Sequence, residues 1–268
     1  MSSRKDILDG TITSNLERRY GLIYTCKAGW IDLGHLDPTN ARMEIGAENL
    51  WKQLINESSE AIDPRCGRTP YGANSVMTMA HYFGMPGSCK TDPRFKFADG
   101  SAGFEVRFRQ DHAGYIGKPG REGRYFVKKG LTIEQKKRVA LSIFMEVSHR
   151  FENFQTVLSF ATDSGFSQED LISNLIGFYI GIGEIEKITA LKLCHPVSAK
   201  TAFKVWDNDG AVGKIKNRQW KPKYASTTYR VDSKRCLDEC SITKQEFPIE
   251  FQKIQPAQKG VWYKERTY

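Results

Sequence analysis

Three short runs of this chain carry side chains that could do chemistry. Asp32-x-x-His35 closes the run YTCKAGWIDLGH, Glu146-x-x-His149 with Asn153 sits in MEVSHRFEN, and Glu169-Asp170-x-x-Ser173-Asn174 lies in FSQEDLISNLIG. On a helix Glu146, His149 and Asn153 line one edge, on the shoulder of an apolar stripe rather than opposite it. A carboxyl held half-buried there has its pKa raised by desolvation and can give or take a proton. The competing reading is a solvated flank in which Glu146 pairs with Arg150 at i+4.

The residue types support three chemistries. The first is metal-free hydrolysis, with Glu146 as general acid or base and Asp32 or His35 as its partner across a cleft. Glycoside hydrolysis needs two such groups, one of them protonated. Cys26, His149, Glu169, Asp170, Ser173 and Asn174 are then expected to contact substrate, although Ser167 and Asp170 also read as a helix N-cap pair. The second is a metal-dependent hydrolase with zinc or another divalent ion on Asp32, His35, Glu146 and His149, a donor set suited to such ions. The third is thiol chemistry by Cys26 with His35. Cys26 lies in an apolar, β-prone run, where a buried inert thiol is the ordinary outcome. His81, His112 and His195 have no evident partners and read as structural or exposed.

The elements that must position these groups follow from pattern. Val139, Ile143, Val147, Phe151, Phe154 and Leu158 recur at spacings of four and three, which predicts a long helix. Thr132 with Gln135 three residues on marks its start as a capping box. A second helix is predicted to open at Ser167, with Asp170 facing the positive end of its dipole and Leu171, Ile172, Leu175, Ile176, Tyr179 and Ile180 inward.

Before this pair, residues 1–20 read as a polar lead-in with one short helix over Ser14–Tyr20. Gly21–Thr25 and Trp30–Ile31 are β-prone around an Ala28-Gly29 turn, and Thr39–Ser58 is helical, with Met43, Ala47, Leu50 and Leu54 on one face. Glu60–Gly100 is rich in Pro, Gly and Asp and reads as a long insertion with one short helix over Asn74–Phe83. FEVRFRQD alternates, with Phe104, Val106 and Phe108 on one face and Glu105, Arg107 and Arg109 on the other. GKPGREG makes a turn and RYFVKK returns, a β-hairpin. Ile185–Cys194 and Ser198–Trp206 are helical, the latter ended by DNDG, and the basic, aromatic remainder is extended.

Composition limits the classes. The chain has 268 residues, a formal charge of +9, a pI near 9.2 and a mean hydropathy of −0.50. Such a balance suits an anionic partner. No apolar run is long enough to cross a bilayer, and MSSRKDILDG lacks the apolar core of a signal peptide. The expectation is a protein made in the cytoplasm without a signal peptide, whose export to the periplasm needs a dedicated secretion system. Six cysteines are too sparse for a dense disulfide framework. Cys236 and Cys240, four apart, could share a helix face or a metal with Cys194 and His195, but the paired Cys-x-x-Cys spacing of zinc sites is missing. Trp206, Trp220, Tyr224, Tyr229, Trp262, Tyr263 and Tyr268 among basic residues have the composition of a nucleic-acid or glycan platform, without a recognisable motif.

At this point the residues resemble a family. Tyr24, Thr25, Cys26, Gly29, Ile31, Asp32 and His35, a mid-chain helix bearing Glu146, and Phe166, Ser167, Glu169, Asp170, Ser173, Asn174, Leu175 and Gly177 are similar to the motifs of the bacterial domain-of-unknown-function family 4056. The similarity spans about Tyr20 to Gly183. The family's middle motif has a His immediately before the Glu, where this chain has Met145. The family name carries no activity, so the resemblance bears on the choice of residues more than on the reaction.

The expectation is therefore an α+β single domain, 1–268, helix-rich in its centre, with a β-hairpin, a family-like core over 21–205 and an extended basic section over 206–268. Its expected function is hydrolysis of an anionic or glycan polymer of the bacterial envelope, such as peptidoglycan, by Glu146 with Asp32 and His35 and without a cofactor. Size, charge and family company suggest a secreted antibacterial effector with a cognate inhibitor protein. The alternatives are the metal-dependent hydrolase and a nucleic-acid or glycan binder without catalysis.

Overall fold

A tight turn organises the first strands. In the computed structural model, which describes residues 2–37, 46–57, 97–111, 120–157, 166–225, 239–240 and 245–266, β1 (Leu22–Thr25) and β2 (Gly29–Asp32) pair antiparallel. Leu22 lies opposite Asp32 and Thr25 opposite Gly29. The Thr25 hydroxyl closes the turn, donating to the Gly29 carbonyl at 2.9 Å and accepting from the Ala28 amide at 3.1 Å. The β-prone run and the Ala28-Gly29 turn are as the sequence predicts.

The alternating segment forms the second sheet. β3 (Gly103–Asp111) pairs antiparallel with β4 (Gly120–Lys128), and β5 (Tyr263–Glu265) joins the other edge of β4, giving the order β3-β4-β5. Phe104, Val106 and Phe108 are buried, as the period of two requires. The return strand starts earlier than expected: Arg121, Glu122 and Gly123, read as part of the turn, pair with Gln110, Arg109 and Phe108. Glu105, on the face opposite Phe104, Val106 and Phe108, is also buried, with Arg107 and Arg266 both paired to it. These sheets and the helices make the fold α+β.

The helices around the sheet are α1 (Thr13–Leu16), α2 (Ala47–Asn56), α3 (Ile133–Val157), α4 (Asp170–Gly181), α5 (Lys187–Leu193) and α6 (Ala199–Asp209). α3 begins with the predicted capping box: the Thr132 amide donates to Gln135 at 2.9 Å, and the Gln135 amide donates to the Thr132 hydroxyl at 3.3 Å. Val139, Ile143, Val147 and Phe151 are buried as expected, and so is the adjacent row Ala140, Phe144, Ser148 and Glu152. Two buried rows arise because α3 packs on β3 and β4 and also touches α2 and α4.

α4 is buried on almost every side, as befits a helix that is apolar nearly all round. It starts at Asp170, three residues later than predicted, and the Asp170 carboxylate reaches back to accept from the Ser167 amide at 2.9 Å. Ser198 caps α6 by accepting from Thr201, and Gly210 follows its last residue. α1 is shorter than expected, and Ile7 and Leu16 in the supposedly polar lead-in are buried. Ala47, Leu50 and Leu54 of α2 face the core as predicted. Residues 38–45, and the insertion up to residue 96 with its expected helix over Asn74–Phe83, lie outside the described residues.

The C-terminal section is woven into this core. Phe251, Ile254, Ala257 and Tyr263 belong to the main apolar cluster, each burial of a large apolar side chain contributing on the order of 2 kcal/mol. The Ser142 hydroxyl of α3 donates to the Ala257 carbonyl and accepts from its amide, at 3.1 and 2.8 Å. One stretch predicted as extended, Ile249–Gln252, is a 3-10 turn.

Cys26 and Cys240 form a disulfide. Cys240 is therefore taken up by Cys26 rather than by a metal shared with Cys194 and His195, and Cys26 is not a free thiol. Cys194 is a buried thiol whose pKa is pushed up by burial. Cys66, Cys89 and Cys236 lie outside the described residues.

Candidate functional site

Glu146 and the pair Asp32/His35 do not meet. The Glu146 carboxylate accepts from the Tyr263 hydroxyl at 2.7 Å, the Lys259 ammonium at 2.9 Å and, weakly, the Tyr125 hydroxyl at 3.4 Å. Arg150 stands 3.6 Å away, the i+4 partner of the solvated-flank reading. Lys259 and Arg150 both continue to Glu265, whose pKa is held down at about 2 chiefly by the Arg150 hydrogen bond and then by Lys259. Among the described residues Glu146 makes no hydrogen bond or ion pair with Asp32 or His35, so these groups are not in direct contact. The C-terminal strand supplies the reason, placing a cation and a phenol on the Glu146 edge of α3.

Asp32 and His35 instead meet the start of α4. The Asp32 amide donates to the Ser173 hydroxyl at 2.9 Å, and Ser173 donates to the Glu169 carbonyl at 2.7 Å. The Asp32 carboxylate accepts from Gly34 at 2.7 Å, from His35 at 3.4 Å and from the Ser2 hydroxyl at 2.8 Å, so it shapes the turn carrying His35. That turn lies directly on α4. A Cβ at Gly177 would stand 2.7 Å from the Leu36 carbonyl oxygen, so only glycine permits this approach. His35, its side chain 31% exposed, then sits with Nδ1 3.8 Å from the buried Asp170 carboxylate.

The partner from α3 is Glu152. It is fully buried and accepts from the Phe166 amide at 3.0 Å, and its charge acts on Asp170. Two buried carboxyl groups that act on each other resist carrying both charges. Burial raises Glu152, opposed by His35 and His149. Burial also pushes Asp170 well up, and the charges of Glu152, Glu169 and Asp32 add to it. Glu169 is pushed up to about 7, first by burial, with Asp32 and Glu152 adding and His35 opposing. One Glu169 oxygen, Oε2, has no hydrogen-bond partner among the described residues.

Phe166 is the hinge of the arrangement. Its φ of 55° is a left-handed conformation that non-glycine residues rarely adopt, costing on the order of 1 kcal/mol. It is held there from several sides: its amide serves Glu152, its carbonyl accepts from Asn217 at 2.8 Å, and its ring packs edge-on to His149. Asn174 accepts from the Gln110 side chain at 3.1 Å, tying α4 to β3.

Of the residues expected to form the site, Asp32, His35, Glu169, Asp170 and Ser173 are gathered, with His149 against Phe166 and Asn174 on the next turn of α4. Glu146 is elsewhere, Cys26 is buried in its disulfide, and Asn153 lies beyond the residues whose side chains are described. Glu152 was not foreseen; the row Ala140–Phe144–Ser148–Glu152, spaced by four, is the signal that finds it. The donor set Asp32, His35, Glu146, His149 does not converge, and among the described residues no group of three or more His, Cys, Asp or Glu side chains is arranged to hold a metal ion. The same residues contain no helix long and apolar enough to cross a membrane. No family model, curated protein or solved structure matches the chain.

Proposed function

We propose that the protein is a hydrolase of an envelope glycan in which His35 moves the proton at the substrate and the Asp170–Glu152 carboxyl pair holds His35 and its charge. The observation that carries this reading is the buried carboxyl pair, with Glu169 beside it and one partly exposed imidazole at its outer edge. Burying this many acids together is unfavourable unless they serve a purpose, and clustered groups with opposed demands for one proton suit acid–base catalysis. In this reading the His35 imidazolium gives its proton to the leaving glycosidic oxygen, and the imidazole takes one back from the water that attacks the anomeric carbon. Asp170 stabilises the imidazolium that starts and ends this cycle, and Asp32 positions the turn. The Cys26–Cys240 disulfide supports action in an oxidising compartment such as the periplasm, since cytosolic thiols are kept reduced.

The test is release of soluble fragments from purified peptidoglycan. His35→Asn and Asp170→Asn should lower the rate by about 100-fold or more, the span typical of a lost general acid–base. Glu146→Gln should stay within about twofold of wild type, its bonds lying outside the cluster. Fragment release that persists in His35→Asn, or that vanishes in Glu146→Gln, removes the proposal.

A further inference from the structure

Beside the entrance of α4 runs KIKNRQWKPK, with Lys214, Lys216, Arg218, Lys221 and Lys223 all exposed and no acid between Gly210 and Val231. Among the described residues no ion pair joins Lys214, Arg218, Lys221 or Lys223 to a carboxylate. A charge run of this kind is usually a solvated face, and charge alone would support nothing more. Two further observations set it apart.

The first is that its backbone is fixed along its length. Asn217 is buried; its amide donates to the Phe166 carbonyl at 2.8 Å, and its Nδ2 donates to the Gln168 and Lys221 carbonyls at 3.3 and 2.9 Å. Lys216 forms an isolated β-bridge with Ser167. At the far end the Lys223 carbonyl lies where a Cβ on Gly29 (φ 70°) would stand, 2.2 Å from it, so the β1–β2 turn accepts the loop only because residue 29 is glycine. The Tyr224 hydroxyl donates to the Lys27 carbonyl at 3.0 Å, and the Ala225 amide donates to the Tyr24 hydroxyl at 3.0 Å. Like charges are thus held close together by bonds that do not involve the charges, which lowers the ordering cost of meeting a ligand.

The second is where the fixed loop leads. It is attached to Phe166, Ser167 and Gln168, the residues that immediately precede Glu169 and Asp170, and the Arg218 guanidinium lies over the Phe166 ring at 4.9 Å. A polyanion lying along the loop would therefore run up to the acid cluster. The rings of the loop do not offer themselves for base stacking: Trp220 packs against the main core, and Tyr224 is turned to the β1–β2 turn. This separates the surface from a single-stranded nucleic-acid platform.

We propose that the Lys214–Lys223 loop is a docking surface for a carboxylate-bearing glycan, which it delivers to the His35 edge of the cluster. Delivery rests on the hydrolase reading above; binding itself does not. The probe is polygalacturonate, with dextran of equal length as the neutral control and a DNA duplex as the competing polyanion. Wild type should bind polygalacturonate but not dextran, with affinity falling as salt rises. The triple variant Lys214→Gln, Lys221→Gln, Lys223→Gln, which removes only exposed charges, should bind roughly tenfold more weakly. His35→Asn should bind as wild type does. No binding, or equal binding by the triple variant, overturns the docking surface. Tighter binding to the duplex overturns the glycan in favour of nucleic acid. Peptidoglycan release unchanged in the triple variant overturns delivery, whereas binding without release by wild type overturns the hydrolase reading alone.

Discussion

Glu146 and Glu152 stand six residues apart on one helix and meet opposite fates. Glu146 accepts from two phenols and an ammonium, with a guanidinium nearby, and is still partly open to water. Glu152 is closed off beside the carboxyl groups of Asp170 and Glu169, with His35, His149 and the Phe166 amide opposing its rise. The difference teaches that a helix-borne acid is defined by what arrives from distant parts of the chain. Lys259 and Tyr263 make one an ordinary ion-pair carboxylate, while α4 makes the other part of a buried acid cluster.

The sharpest contrast is in pH. Glu169 has its folded pKa raised to about 7, so its contribution to stability is full below its unfolded value near 4.5 and is lost as pH rises through about 7. That loss should be on the order of 3 kcal/mol, seen as a falling unfolding midpoint over that window and flattened in Glu169→Gln. Glu265, lowered to about 2, behaves in reverse: its contribution is present above 4.5 and lost as pH falls toward about 2. Its partners are largely exposed, so Glu265→Gln should change the acid limb by no more than about 1 kcal/mol. A midpoint that does not fall between pH 4.5 and 7 would erase the distinction between the two regions.

Next in size is Asp170→Ala, which strands the Ser167 amide and removes the partner of Glu152. Urea unfolding should show a loss of about 2 kcal/mol. Smallest is Glu146→Gln, which should cost below about 1 kcal/mol and shrink further in high salt. If Glu146→Gln proved more damaging than Asp170→Ala, the ranking of the two regions would be inverted.

Much of this was legible in local pattern. The hairpin alternation, the Thr132–Gln135 box and the apolar face of α4 each depend on neighbours within a few residues, where propensity and period act. The grouping of Asp32 and His35 with Glu169, Asp170 and Ser173 was visible in the motifs. Arg150 was readable at i+4, but Lys259 and Tyr263, the closest partners of Glu146, lie more than a hundred residues downstream, and no periodicity encodes such a meeting. Glu152 was hidden because it lies beside the apolar stripe through Val147 and Phe151, in an adjacent row that is equally buried. The Cys26–Cys240 bridge joins residues 214 apart, and no local spacing could point to it.

That bridge closes most of the polypeptide into a covalent ring. A single peptide-bond scission anywhere from residue 27 to 239 opens the ring without releasing a fragment. Nicked molecules would therefore migrate as one species on a denaturing gel, and separate into two bands only after a reducing agent is added.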